Sequence, residues 1–269
     1  MHNLEEKRSS IETSVMRRIS KAEDVVNDRV AVEVPVGFSF NCENYTVMMA
    51  SPTNLIDFGY GFAISEGIVS GINEIFSVDS SIKSKGINLS IKVPEFRAEK
   101  LLQRERNIEG RTGCGLCGVK EINNVLRQLK VLPESSPINI SVIIKALKNL
   151  PSNQLINKQT GSVHAAAFVS NQGNFLCIRE DVGRHNALDK LIGSVAQSEI
   201  DPACGFVIVT SRCSMEMVQK TVTFGCPVLV SVSAPTSLAL EIANESNLTV
   251  AAFARGERIN IYTKTNRII

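Results

Sequence analysis

The chain has 269 residues, 43% hydrophobic and 21% charged, which is ordinary globular composition at a length that buries about three quarters of the unfolded surface. Twenty-nine Lys and Arg against 27 Asp and Glu leave a net charge of +2, which excludes nucleic-acid binding through bulk charge. Tryptophan is absent and aromatics are only 5%, so an aliphatic core is expected.

Residues 1–28 carry mixed charge with little periodicity and read as a flexible tail. They hold no apolar run of the ~7–15 residues of a secretory signal, and no window approaches the ~18 of a membrane helix. The expectation is a cytoplasmic protein without membrane contact, its thiols reduced. Of the seven cysteines, Cys42, Cys177, Cys204 and Cys226 sit in or beside apolar runs and read as small buried hydrophobes.

Residues 29–135 read as a smaller α+β domain. From Val30 the run VAVEVPVGFSF alternates, turns at Asn41–Asn44 and continues as YTVMMA, the pattern of a hairpin or meander. Ser51-Pro52 signals a helix start, with Leu55, Phe58, Phe62, Ala63 and Ile64 on one face. Residues 86–93 alternate as a strand, and the charged stretch after Pro94 reads as a surface helix. The glycine-rich loop 107–120 holds Cys114-Gly115-Leu116-Cys117, and a helix is expected over 119–130. Residues 131–138, with two Pro and two Ser, read as a linker.

Residues 136–269 read as an α/β domain. Segments 163–169 and 174–179 suggest a hairpin, followed by a helix from about His185 to Gln197. The apolar strands at 206–210, 227–232 and 248–254 alternate with helices, and a last strand covers 259–263. Continuous apolar strands joined by helices imply a parallel sheet with right-handed crossovers. All strand-to-helix loops then share the carboxyl edge, where open α/β sheets bind ligands. That brings together Glu180–Arg184, Ser211–Ser214, Ser233–Ser237 and Arg255–Arg258. Their arginines, hydroxyls and helix N-termini suit a phosphate-bearing ligand, although Ser214, Thr236 and Ser237 can also be plain N-caps.

The CxxC supports three readings. Half a zinc site lacks the second ligand pair, since there is no other CxxC and His164 and His185 lie 21 residues apart. A thioredoxin-type dithiol lacks a clear preceding strand. A sulfur-relay or redox cysteine suits a glycine-flanked loop beside Arg111 and Lys120, which favour a thiolate.

In order along the chain, SPTNLIDFGYGFAISEGIV, RTGCGLCG, TGSVHAAA, REDVGRHNALDKLIG, TSRCSMEMVQK, SVSAPTSLAL and AAFARG resemble the formate dehydrogenase accessory protein family, FdhD. The resemblance spans roughly residues 30–265. It implies a sulfurtransferase that carries persulfide sulfur from a cysteine desulfurase to the molybdenum cofactor, bis-molybdopterin guanine dinucleotide, needed by formate dehydrogenase. The alternative is a chaperone that only binds and delivers that cofactor. The resemblance also implies a cytidine-deaminase-like mixed sheet flanked by helices in the C-terminal part, and a homodimer. Deaminase chemistry does not follow: His164 precedes Ala165-Ala166 rather than the x-Glu of a zinc deaminase, and no structural metal is expected. By motif, Cys114 is the persulfide-bearing residue and Cys117 its helper. The cofactor-binding segment falls on Phe253, Ala254, Arg255, Gly256, Glu257 and Arg258. Ser211, Arg212, Ser214, Ala234, Pro235, Thr236, His164, Asp181, Arg184 and His185 complete the expected site. Asp181 or Asp189 pairs with a guanine edge or orients Arg184; His185 is a ligand contact or a first-turn polar residue. Cys213 reads as a small filler.

Overall fold

The computed structural model describes residues 8–20, 22–105 and 127–269. β1 (Ser10–Ile19) and β2 (Ala22–Ala31) form a two-stranded antiparallel ribbon. From Ser10 on, these strands replace the flexible tail expected over residues 1–28, whose residues 1–7 lie outside the described residues. The mixed charges that hide the strands from a reading of periodicity face one another across the ladder: Glu12 opposes Arg29, Arg17 opposes Asp24, and Arg18 Nε lies 2.9 Å from Glu23 Oε1. Opposite charges on facing strands support pairing, and Ser10 alone in the ribbon is buried.

β3 (Val34–Phe40), β4 (Glu43–Ala50), β5 (Ser77–Lys83) and β6 (Gly86–Lys92) build a second sheet in the order β4-β3-β6-β5, with β3 and β6 parallel. Asn41 and Cys42 connect β3 to β4 with φ of 46° and 75°, the left-handed pair that a tight hairpin requires. The inner face of this sheet packs on α1 (Leu55–Ser65). Phe38 lies 4.9 Å from Phe58 and 4.3 Å from Phe62 between ring centres, so the scarce aromatics are concentrated here rather than excluded from the core. Helix α1 opens after Asn54, three residues beyond the Ser51-Pro52 signal. Ser51 is fully buried and serves a different purpose. α2 (Glu95–Glu105) follows, with Ala98 and Leu101 in the core. Most of the helix expected over 119–130 lies outside the described residues, and residues 127–130 are not helical. The expected linker is strapped down: Leu132 N–H donates to Ser246 O, Ile138 N–H donates to Arg267 O, and the buried Arg267 donates to Pro133 O.

The largest sheet has six strands in the order β12-β11-β10-β9-β7-β8. They are β7 (His164–Ser170), β8 (Phe175–Asp181), β9 (Gly205–Val209), β10 (Val228–Ser231), β11 (Thr249–Arg255) and β12 (Arg258–Ile261). β9, β10 and β11 run parallel as expected, and antiparallel partners flank them, making a mixed α/β sheet. One face is covered by α3 (Ile140–Asn153) through Ile143, Ala146, Leu147 and Leu150. α4 (Leu155–Thr160) links α3 to β7. The other face carries α5 (Arg184–Ala196), α6 (Met215–Phe224) and α7 (Ser237–Glu245).

The two larger sheets meet through α1 and α5. A Cβ on Gly61 would fall 1.6 Å from Asp189 O, and one on Gly193 would fall 1.9 Å from Asp57 O. Only glycine allows backbones to approach this closely. Arg179 Nε donates to Asp57 Oδ2 at 2.7 Å and fixes the crossing from the side. Overpacking a close contact costs about 3 kcal/mol or less in most cores. Gly61→Ala presses on backbone, so a loss of about 3 kcal/mol or more is expected in urea unfolding. Gly71→Ala, where a Cβ meets open space, should stay within about 0.5 kcal/mol of the parent. Equal effects from the two variants would contradict the crossing.

Candidate functional site

The ends of β8, β9, β10 and β11 and the start of β7 share one edge of the six-stranded sheet. Its loops are hydrogen-bonded to one another. Cys213 N–H donates to Ala234 O at 3.0 Å, and Thr236 N–H donates to Cys213 O at 3.1 Å. Ser231 Oγ donates to Ser211 O at 2.7 Å, and Phe253 N–H to Ser233 O at 3.0 Å. Ser211, Arg212, Ser214, Ala234, Pro235 and Thr236 therefore lie on two loops that pair like strands at Cys213 and Pro235. Arg212 is exposed. Thr236 caps α7 by accepting from Ala239 N, whereas Ser214 makes no side-chain cap for α6.

Beside these loops β11 breaks register between Ala252 and Arg255. Phe253 sits in the bulge at φ 51°, 38% exposed, with the Arg258 guanidinium 5.4 Å from its ring centre. A bulky residue at positive φ is uncommon and stores about 1–3 kcal/mol of strain. Arg255 Nε donates to Val232 O at 3.1 Å. Ala254 is buried, and Gly256 takes the turn at φ 61°. Glu257 is exposed and 3.3 Å from Lys148 Nζ.

Asp181 has no free face. It is fully buried and accepts from Ser51 N at 3.0 Å, Gly183 N at 2.8 Å and Asn186 Nδ2 at 2.9 Å, with Lys190 Nζ 2.5 Å away. It holds the loop that starts α5 rather than reaching a ligand. Lys190 in turn donates to Ser51 O at 2.8 Å, which explains the burial of Ser51. Asp189 is equally enclosed: Lys220 Nζ lies 2.8 Å from its Oδ1, and Ser65 Oγ donates to the same oxygen. Lys220 also reaches Glu66 at 2.6 Å. Burial would pull the Lys220 ammonium down, but Asp189 and Glu66 outweigh it and hold it above its ordinary value. Burial likewise opposes the Glu66 carboxylate, yet Lys220 and Arg127 bring it to about 2.

His164, Arg184 and His185 gather at the edge. His164 is half-buried, and burial together with Arg184 lowers its pKa against the pull of Asp181. His185 lies with Nε2 3.9 Å from Glu216 Oε2, too far for a hydrogen bond. Burial, then Lys220 and Arg184, bring His185 to about 4, so the imidazole is neutral near pH 7. Among the described residues, Arg184 Nε and His185 Nε2 are buried without hydrogen-bond partners, which is uncommon for enclosed polar atoms. Glu216 and Lys220 fall inside TSRCSMEMVQK without being singled out as site residues; their one-turn spacing on α6 is the local signal that pairs them.

The thiols divide by burial. Cys213 and Cys226 are enclosed, and burial pushes both up to about 12, so neither is a thiolate. Cys42 and Cys204 are exposed, contrary to the expectation of buried packing. Cys114 and Cys117 lie outside the described residues. The described chain resumes at Arg127, whose Nη1 donates to Ser65 O at 2.8 Å.

A model of the FdhD/NarQ family matches residues 31–269. The chain belongs to the FdhD/NarQ family. It is 48% identical over 241 residues to a sulfur carrier protein FdhD of Variovorax paradoxus (strain S110), covering 90% of this chain and 87% of that protein. It is 44% identical to the FdhD sulfur carrier of Agrobacterium fabrum (strain C58), with 89% of each covered. A formate dehydrogenase accessory protein from Desulfotalea psychrophila has the same fold, with TM-score 0.77 and 24% identity over 97% of this chain and all of that one. The ribbon lies almost wholly before the stretch that matches the family model.

For this FdhD/NarQ member the low value of His185 gives a pH dependence. Between about 6.5 and 4 the unfolded chain binds a proton that the folded site refuses, so stability falls as pH drops through that window. Unfolding at pH 7 and pH 4.5 should show His185→Gln losing roughly 2 kcal/mol less than the parent. An unchanged pH slope would remove His185 as its source.

Proposed function

We propose that this chain is a sulfur carrier that serves formate dehydrogenase by sulfurating a bis-molybdopterin guanine dinucleotide cofactor bound as substrate along the carboxyl edge. A cysteine desulfurase supplies the sulfur. The Cys114 thiolate attacks the outer sulfur of the donor's persulfide, the donor's S–S bond breaks, and the donor cysteine leaves as a thiolate. No net oxidation occurs. Cys117 shares or shuttles the sulfur before the cofactor takes it. The sulfur half of this reading rests on the CxxC and on the relatives named sulfur carriers.

One observation carries the cofactor half: an exposed Phe253 held at φ 51° beneath Arg258, next to the paired loops that start α6 and α7. An exposed ring suits the face of a guanine. Arg255, Arg258 and the helix N-termini suit the diphosphate. Asp181 and Asp189 are left out of guanine recognition, because both carboxylates are already satisfied. Phe253, Ala254, Arg255, Gly256, Glu257 and Arg258, with Ser211, Arg212, Ser214, Ala234, Pro235, Thr236, His164, Arg184 and His185, remain the proposed cofactor site. The reading keeps the cytidine-deaminase-like character of the six-stranded sheet, a homodimer and a cytoplasmic setting.

Incubation with a cysteine desulfurase and cysteine should add one cyanide-labile sulfur to the Cys114 peptide in intact and peptide mass spectra. Cys114→Ala should fold normally and fail to yield active formate dehydrogenase. A protein that gains no sulfur yet still supports the enzyme would favour the delivery chaperone. Phe253→Gly should keep or raise stability, since glycine accepts φ 51° without strain. Its affinity for guanosine diphosphate should fall about ten-fold or more, as for loss of an aromatic stacking contact.

A further inference from the structure

The root of the ribbon carries an open cavity of about 400 Å³. Two guanidinium groups, from Arg8 and Arg29, line it, together with Ser10, Glu12 and Gln159. The position of the cavity is informative. Gln159 belongs to α4, whose first amides, Ile156 N–H and Asn157 N–H, donate to the Glu180 carboxylate near the end of β8 at 2.8 and 2.9 Å. Five residues later His164 opens β7. Through α4 the cavity is therefore linked to Glu180, near the end of β8.

The charges on its wall are not paired off. Glu12 and Arg29 oppose each other in the ladder, where an ion pair would ordinarily close. Arg29 Nη1 instead donates to the neutral Gln159 Oε1 at 3.1 Å, and Ser10 Oγ donates to the same oxygen at 2.9 Å. With its oxygen committed twice, Gln159 has its N–H pair left to offer a guest. Among the described residues neither Arg8 nor Arg29 forms an ion pair. Two cations, one carboxylate and amide and hydroxyl groups around a cavity leave a net positive site. A guanidinium fork is the donor geometry that matches a phosphate.

We propose that the cavity at the root of the ribbon is a second anion site, taking a phosphate or diphosphate group. It does not depend on the cofactor reading of the carboxyl edge. A free oxyanion and the phosphate end of a nucleotide offer the same chemistry.

The full-length protein is titrated calorimetrically with pyrophosphate at low ionic strength, where exposed charges are least screened. Arg8→Gln and Arg29→Gln are each expected to weaken binding about ten-fold or more. Arg29→Lys should retain most of it. Glu12→Gln should tighten it roughly three-fold by removing the opposing charge, a gain that damage to the ribbon would not produce. Displacement of pyrophosphate by guanosine diphosphate would mark a nucleotide's phosphate end; its failure would mark a free oxyanion, and both sustain the site. Pyrophosphate binding that is absent, or unchanged in Arg8→Gln and Arg29→Gln, overturns the proposal. Loss confined to Arg255→Gln also overturns it while leaving the carboxyl-edge reading intact. Loss confined to the Arg8 and Arg29 variants sustains it and leaves the carboxyl-edge reading to the guanosine diphosphate titration of Phe253→Gly.

Discussion

The crossing of α1 over α5 is the contact on which the rest of the structure depends. Gly61 and Gly193 let the two backbones touch, and two buried lysines then bridge the halves. Lys190 joins Asp181 to Ser51 O, and Lys220 joins Asp189 to Ser65 and Glu66. Breaking one partner of a buried pair leaves an uncompensated charge and typically costs about 3–5 kcal/mol. Each lysine has several oxygens within reach, so the charge is satisfied as well as enclosed. The two parts of the chain therefore have one admissible docking, set by backbone contact and by charges that tolerate no slippage.

That docking positions the candidate site. Asp181 holds Ser51 from one half and Gly183 from the other, so the loop before α5 is shaped by residues on both sides of the crossing. The opposite end of the edge is shaped within β11, where the bulge at Phe253 turns an aromatic ring outward at φ 51°. Between these ends the loops after β9 and β10 are tied by Cys213 and Ala234. Both ends of the edge and the loops between them are thus held by bonds already made, and a proposed binder built on such loops would have a low ordering cost.

Much of this is legible in the sequence. Strands β9 to β11 announce themselves as short apolar runs, and their loops fall on one edge because parallel strands leave no alternative. Ligand residues and scaffold residues are harder to tell apart. Asp181 and Arg184 sit in one polar segment, yet the first is sealed by four donors while the second keeps a buried Nε without a partner among the described residues. No local pattern states that Ser51, 130 residues away, will occupy Asp181. The ribbon escapes for another reason: its alternation is carried by paired opposite charges rather than by a buried face. Cys42 is misjudged because an apolar neighbourhood in sequence says nothing about a hairpin tip, where the residue is exposed.

The Asp181 end of the edge is held in place by the α1–α5 docking. Native-state hydrogen exchange followed by two-dimensional NMR tests it most directly. The amides of Ser51 and Gly183, both donors to Asp181, should exchange only through global unfolding, with the same opening free energy as Val207 and Leu229 in the sheet. Exchange of Ser51 and Gly183 by a separate, lower-energy opening while the sheet stays protected would contradict it.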